Sequence, residues 1–271
     1  MIIDCHTHLC SCGKDVQDRV TWAASLRALR QEFNDCGAQT AVLLPEFRTG
    51  HPDMPDTEAT LKLVADVPSL YPLGSPDLEH LTAATIARLN HLLAQRKIYG
   101  LKLYFGYQHM SPADRSLRPL YQLAVQYDVP VLVHSGDTIG TFPGAKLQYA
   151  HPLHLDDVAT EFPKLKIIIA HLGNPWISDC AEVVNKNPNV YADLSGLVEG
   201  KHCPPPLAAL LRRQIRDFVA YTGARKLLYG SDWPIVPMRM YLRFVRSLPI
   251  PRAEWPWVLW RNAATLFKLP V

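Results

Sequence analysis

Short apolar runs recur along the whole chain, and most of them stop on a polar residue or a glycine: MIIDCHTHL, TAVLLPE, LYPLGSPD, YGLKLYFG, VPVLVHSG, KIIIAHLG, VYADLSG and LLYGSDWP. Brief runs with little polar alternation are the pattern of parallel strands covered on both faces. Their polar ends fall near His8, Glu46, Ser75, Tyr104, His134, His171, Ser195 and Asp232, and intervals of roughly 25 to 40 residues match a βαβ repeat. Between them the period changes. TWAASLRALRQEFNDCG puts Trp22, Leu26, Leu29 and Phe33 on one helical face and closes on Gly37, and HLTAATIARLNHLLAQRK aligns Leu81, Ile86, Leu89 and Leu93. SPADRSLRPLYQLAVQYDV and HPLHLDDVATEFPKL predict two more helices, the second ended by Pro163, and the prolines of HCPPPL suit the first turn of another. WPWVLWRNAATLFKL predicts a terminal helix that offers Trp255, Leu259, Ala263 and Phe267 to the barrel's outer ring. Eight alternating units predict an α/β fold of the (β/α)8 TIM barrel type, with residues 1–271 as a single domain. The competing architecture, an open doubly wound sheet, needs a glycine-rich phosphate turn after the first strand, and this sequence lacks one.

Composition narrows the partners. The chain is 48% hydrophobic and 20% charged with a net charge of +3 and no block of consecutive Lys or Arg, so nothing points to nucleic acid or a membrane surface. Only Met1, Ile2 and Ile3 precede Asp4, too few for a secretory leader, and the expectation is a cytoplasmic protein with reduced thiols. Cys5, Cys10 and Cys12 crowd the start, but Cys10-Ser-Cys12 lacks the two-residue spacer of zinc or dithiol motifs and reads as ordinary loop thiols. A small-molecule substrate is expected, and a homodimer is an open expectation.

Candidate chemistry sits on the strand ends. Side chains alternate along a strand, so His6 and His8 face the same way. His134, His171 and Asp232 each terminate a later apolar run. In a barrel all these carboxyl ends converge on one mouth. Burying so many polar groups without partners costs several kcal/mol, roughly, and a shared cation is the economical compensation. Imidazole plus carboxylate suits Zn2+ first, with Mn2+, Fe2+ or Co2+ compatible.

IDCHTHL, VLVHSG, IIIAHLG, GSDWP and the terminal RNAATLF together resemble the amidohydrolase superfamily, in its amidohydrolase-related branch, which includes aminocarboxymuconate semialdehyde decarboxylase and the resorcylate decarboxylases. The resemblance spans the chain and implies a distorted barrel with a metal at its mouth. It implies that His6, His8, His134 and Asp232 ligate one divalent metal. Asp232 then also takes a proton from the attacking water, and His171 serves beside the metal as acid, base or electrostatic stabiliser. Lys102 is open to several roles: a carboxylated lysine bridging a second metal, a barrel lysine paired with Asp4, or a group for a substrate carboxylate, a role open to Arg48 as well. One metal is favoured. Glu46, Tyr104, Tyr107, Ser195 and Trp233 are further candidates for the pocket wall, and TFPGAKLQYAHPLHL, beginning just after Gly140, for a mobile lid. The first functional expectation is metal-dependent hydrolysis of an amide, lactone or ester of a small anionic substrate. The alternative is metal-dependent non-oxidative decarboxylation of a small aromatic or unsaturated acid.

Overall fold

The computed structural model describes residues 1–10, 21–139 and 144–270. Strands β1 (Ile3–Thr7), β2 (Thr40–Leu43), β3 (Leu70–Pro72), β4 (Leu101–Leu103), β5 (Pro130–Val133), β6 (Lys166–Ile169), β7 (Val190–Asp193) and β8 (Leu227–Leu228) run parallel in sequence order. They form one group of three, β1-β2-β3, and one of five, β4 to β8. Backbone hydrogen bonds close both gaps. Gly74 N donates to Gly100 O (2.9 Å) and Lys102 N to Gly74 O (2.8 Å), while Cys5 N donates to Tyr229 O (3.0 Å) and Asp232 N to His6 O (2.8 Å). The predicted α/β barrel is therefore present as a continuous ring.

The outer helices are α1 (Trp22–Cys36), α2 (Thr57–Leu63), α3 (Ala83–Ala94), α4 (Arg118–Tyr127), α5 (His154–Glu161), α6 (Ile177–Lys186), α7 (Pro205–Thr222), α8 (Met238–Arg246) and α9 (Asn262–Phe267). Their ends follow local chemistry. Thr21, Asp56 and Thr82 cap α1, α2 and α3 by accepting from the amides of Ala24, Ala59 and Thr85, and Gly37 closes α1 at φ 73°. Prolines 205 and 206 open α7, as the sequence predicts. Helices α2, α6 and α8 were not predicted.

Alternate strand residues divide between two apolar clusters. Leu103, Val131, Val133, Ile167 and Ile169 face the helices, whereas Val42, Tyr71, Leu132, Ile168 and Leu228 face inward. Lys102 is in register with Leu132, and Leu132 with Ile168, so Lys102 belongs to the inward face. The terminal helix departs from expectation. A π-helical turn over Trp257–Arg261 precedes α9, and Ala263, Leu266 and Phe267 pack into the inward cluster rather than joining the outer ring. Asn262, within the RNAATLF motif, anchors this plug by donating to the carbonyls of Arg225 (2.9 Å) and Leu227 (2.8 Å) at the start of β8.

The first strand carries a second departure. The β1–β2 register shifts between Asp4 and Thr7, so a bulge reverses the alternation just before the histidines. Ile3 and Cys5 share the inward cluster, and so Asp4 does not share the parity of His6 and His8. Its Oδ1 accepts from the amides of His6 (3.1 Å) and Ser231 (2.9 Å) rather than from Lys102, one of the roles open to that lysine. Among the described residues no helix is long and apolar enough to cross a membrane. Cys5, Cys36, Cys180 and Cys203 are thiols. Cys12, Gly140 and the start of the proposed lid at 141–143 lie outside the described residues.

Candidate metal centre

The carboxyl ends of the strands open into a cavity of about 380 Å3 whose lining includes His6, His8, Lys102, Tyr104, His134, His171 and Asp232. The barrel thus brings together the strand-end residues picked out in the sequence. Phe47, Met54, Tyr107, Ile235 and Pro234 add an apolar wall, and Glu46, Asp137 and Glu199 add carboxylates.

Hydrogen bonds at one ring nitrogen determine what the other offers. His6 Nδ1 donates to Asp193 Oδ2 (2.8 Å), and His8 Nδ1 donates to Leu44 O (3.0 Å). Both partners are pure acceptors, so each ring carries its proton on Nδ1 and turns the lone pair of Nε2 inward. Those two Nε2 atoms lie 3.5 and 3.2 Å from Asp232 Oδ1. Three lone-pair atoms thus converge within 4.8 Å of one another. Such a convergence is repulsive unless a cation lies among them. His134 supplies a related observation: it lines the same cavity, and its Nε2 is buried with no hydrogen-bond partner among the described residues. A divalent metal fits the converging His6, His8 and Asp232 donors, a group that does not include His134.

Electrostatics agree with the geometry. Burial, reinforced by the Lys102 ammonium, pushes His6 down to about 3, and burial and the neighbouring His171 hold His134 well below the usual imidazole range. Both are neutral at physiological pH, the state a metal ligand requires. Burial opposes the charge on Asp232, yet the surrounding imidazoles keep its carboxyl well below the usual carboxylate range.

His171 stands beside this group. Its Nδ1 donates to Ser195 O (3.2 Å) and lies 3.8 Å from Asp232 Oδ2. His171 and Asp232 both adopt left-handed backbone, at φ 58° and 61°, and Leu172 follows at 51°. Strain of this kind persists only where surrounding contacts over-determine it, and it concentrates at functional sites. Gly196, at φ 63°, passes so close that a Cβ there would stand 2.6 Å from His171 Nδ1 and 2.7 Å from Asp232 Oδ2.

Asp193 is the residue that sequence reasoning missed. Fully buried at the end of β7, it accepts from His6 Nδ1 (2.8 Å), the His171 amide (3.0 Å), the Ser195 amide (3.0 Å) and Ser195 Oγ (2.5 Å). Burial works against its charge, but the hydrogen bonds from His6 and Ser195 hold it well below the usual carboxylate range. One carboxylate therefore orients the imidazole of His6 and holds the backbone of His171. The available signal was an acid inside the apolar run VYADLSG, where the polar end was placed two residues later at Ser195. Ser195 is itself buried behind the rings of His6 and His171, with Oγ 3.0 Å from each Nδ1. His6, His171 and Asp193 also form a group with metal-ligand spacing, but these hydrogen bonds already satisfy it.

Lys102 extends into the cavity, its Nζ 3.5 Å from His6 Nε2 and 4.9 Å from the centroid of Tyr104. Burial lowers it to about 8, with Asp193 and Asp232 opposing that shift. Tyr104 directs its hydroxyl away, donating to Pro45 O (2.9 Å), so it offers the cavity its ring. Arg48 turns to Glu46, with Nε 2.9 Å from Oε1, and stacks its guanidinium 5.1 Å over Phe47. Trp233 is buried, and its amide donates to Ser231 Oγ (3.0 Å).

Comparison with known proteins completes the picture. A stretch of 139 residues is 30% identical to L-fucono-1,5-lactonase of Burkholderia ambifaria and covers 46% of this chain and 47% of that protein, so the match spans about half of the relative's length. The fold is similar to that of a putative 2-pyrone-4,6-dicarboxylic acid hydrolase from Pseudomonas putida, with 20% identity, a TM-score of 0.71 and coverage of 100% of this chain and 98% of the other. It is also similar to 2,6-dihydroxybenzoate decarboxylase from Rhizobium, with 16% identity, a TM-score of 0.66 and coverage of 99% and 98%. The amidohydrolase family profile matches residues 3–269, and with that span this chain belongs to the amidohydrolase family.

Proposed function

We propose that this protein is a metal-dependent lactonase that opens the ring ester of a small neutral lactone. The observation that carries the reading is the charge of the cavity. Lys102 is the one Lys or Arg in the lining among the described residues, and with Glu46 paired to Arg48 and Asp232 kept for the metal, the carboxylates of Asp137 and Glu199 stand against it. Arg48, expected to bind an anionic substrate, is engaged by Glu46 instead. A decarboxylase must seat a substrate carboxylate here, whereas a neutral ring ester meets no such opposition. The local identity to a lactonase supports the same choice.

His6, His8, His134 and Asp232 would hold one divalent metal, zinc first. When bound, it supplies a water of lowered pKa and polarises the acyl oxygen. Asp232 Oδ2, turned toward His171, takes the proton of the attacking water as the water oxygen bonds to the acyl carbon. Asp232 then returns that proton to the ring oxygen as the acyl C–O bond breaks, and the new acid ionises. His171, anchored through Nδ1 to Ser195, keeps Nε2 for proton exchange. Gly196 leaves these two groups uncovered. Lys102 fills the space beside His6 as an ammonium, which favours one metal over two.

The test is a panel of neutral sugar lactones, charged lactones and hydroxybenzoates, followed for acid release and for CO2. Acid release from neutral lactones, lost in His8→Ala and Asp232→Asn, is expected. CO2 release from hydroxybenzoates without lactone turnover would overturn the proposal.

A further inference from the structure

The hydrolytic chemistry uses the polar half of the cavity and leaves its aromatic wall without a task. That wall is a row of rings. Phe47, on the loop after β2, lies 5.4 Å from Tyr104 between ring centroids, Tyr104 lies 6.3 Å from Tyr107, and Tyr107 lies 4.7 Å from His134. The row starts beside the metal centre and extends from it through Tyr104 to Phe47, and Met54 lines the same cavity. Its geometry is fixed from behind. Tyr104 donates its hydroxyl to Pro45 O (2.9 Å), the Gln108 amide donates to Tyr104 O (2.9 Å), and the Tyr107 hydroxyl accepts from the Ile139 amide (2.9 Å). The Glu46 amide donates to Pro55 O (3.0 Å), which ties the segment of Phe47 to that of Met54. With both tyrosine hydroxyls engaged, the row offers a ligand carbon surfaces and a thioether. A ligand hydroxyl set against it gives up its water without gaining a partner, whereas an aromatic ring gains contact area and edge-to-face packing. The cavity, at about 380 Å3, falls within the range of pockets for drug-sized ligands, roughly 300–1,000 Å3, and a bare ring ester does not fill it.

We propose that Phe47, Met54, Tyr104 and Tyr107 form a subsite for an aromatic substituent, so that the substrate class is a neutral lactone carrying an aryl group. The substrate class rests on the lactonase reading, while the affinity of the row for an aromatic ring does not. With the acyl group at the metal centre, the substituent lies along the row and against the ring of Tyr104. Phe47 and Met54 act there on specificity, since they touch the substituent and not the reacting atoms. Burying a phenyl group in such a row tightens binding roughly 10- to 100-fold over leaving it exposed. A single ring or thioether contact within the row accounts for roughly a twofold to tenfold share of that gain.

The experiment uses the full-length zinc-loaded protein and two ring ketones, which keep a carbonyl but have no ester bond to break. One is cyclohexanone with a phenyl group opposite the carbonyl, and the other carries a hydroxymethyl group in the same place. Affinities are measured by calorimetric titration for wild type, for Phe47→Leu, which keeps apolar volume and removes a ring, and for Met54→Ala. The subsite predicts that wild type binds the phenyl ketone at least about tenfold more tightly than the hydroxymethyl ketone. It also predicts that this ratio falls roughly threefold to tenfold in Phe47→Leu and roughly twofold to tenfold in Met54→Ala. Equal affinities in wild type, or a ratio that stays at the wild-type value in the folded variants, overturns it. Damage to the cavity as a whole weakens both ketones together and leaves the ratio where it was, which also counts against the subsite. Should one variant fail to fold, the other decides. Because no turnover enters this readout, a wild-type protein that opens no lactone sinks the functional proposal separately, and lactone opening without a phenyl preference sinks the subsite alone.

Discussion

Replacing Asp193 by Asn tests whether one buried carboxylate sets the chemistry of the metal centre. The side chain is isosteric and the cavity volume is kept, so the change is one of proton placement. Asp193 receives four hydrogen bonds from donors that all require an acceptor. If the Asn oxygen keeps the two backbone amides, its NH2 faces His6 Nδ1, and the proton of His6 must move to Nε2. That removes the lone pair directed at Asp232 and the metal position. Loss of an orienting partner of this kind weakens metal binding by about 10- to 100-fold, or roughly 1.4–2.8 kcal/mol. Stability falls by about 1–3 kcal/mol through the lost charge-assisted bonds. Zinc affinity measured by chelator competition, beside a thermal melt, separates the two effects. Wild-type zinc affinity in a folded Asp193→Asn protein would refute the tautomer argument.

Gly196→Ala inserts a methyl 2.6–2.7 Å from His171 and Asp232 at a positive φ, and kcat/KM for the lactone is expected to fall about a hundredfold while the protein stays folded by circular dichroism. Asn262→Ala leaves the buried carbonyls of Arg225 and Leu227 without their donor, and is expected to cost about 2 kcal/mol, seen as a melting temperature lower by roughly 4–8 °C. Asp128 joins Lys166 (2.7 Å) and Lys268 (2.9 Å), and the hydrogen bond from Lys166 above all lowers its pKa. A lowered carboxylate stabilises above its unfolded pKa and loses that contribution as pH falls through the folded value. Asp128→Asn should therefore melt slightly below wild type at neutral pH, by at most about 1 kcal/mol for so exposed a pair, with the difference vanishing in acid.

The barrel was legible because its strands are apolar on both faces and recur at βαβ intervals, and because a run such as KIIIAHLG can stop only where the chain leaves the sheet. The convergence of His6, His8, His134, His171 and Asp232 followed from topology alone, since parallel strands share one carboxyl end. What escaped depended on register and distant partners. The bulge that turns Asp4 away from Lys102 adds no residue type that marks it. Asp193 gains its role from His6, 187 residues earlier in the chain, and was hidden next to a more conspicuous Ser195. Arg48 looked available for substrate until the fold placed Glu46 beside it. The helix α2 is only seven residues long, too short for a period to show, whereas α8 places Met238, Tyr241, Leu242 and Val245 at helical spacing, a signal that was present between its arginines and was passed over.

The central claim, a single catalytic cation held by His6, His8, His134 and Asp232, is tested most directly by one titration. The protein is stripped with a chelator, shown to remain folded, and returned to Zn2+ in steps while the ring opening of a neutral lactone is followed by acid release. A rate that starts near zero and reaches its plateau at one equivalent of metal is the predicted result. Full activity in the stripped protein, or a plateau only at two equivalents, would contradict it.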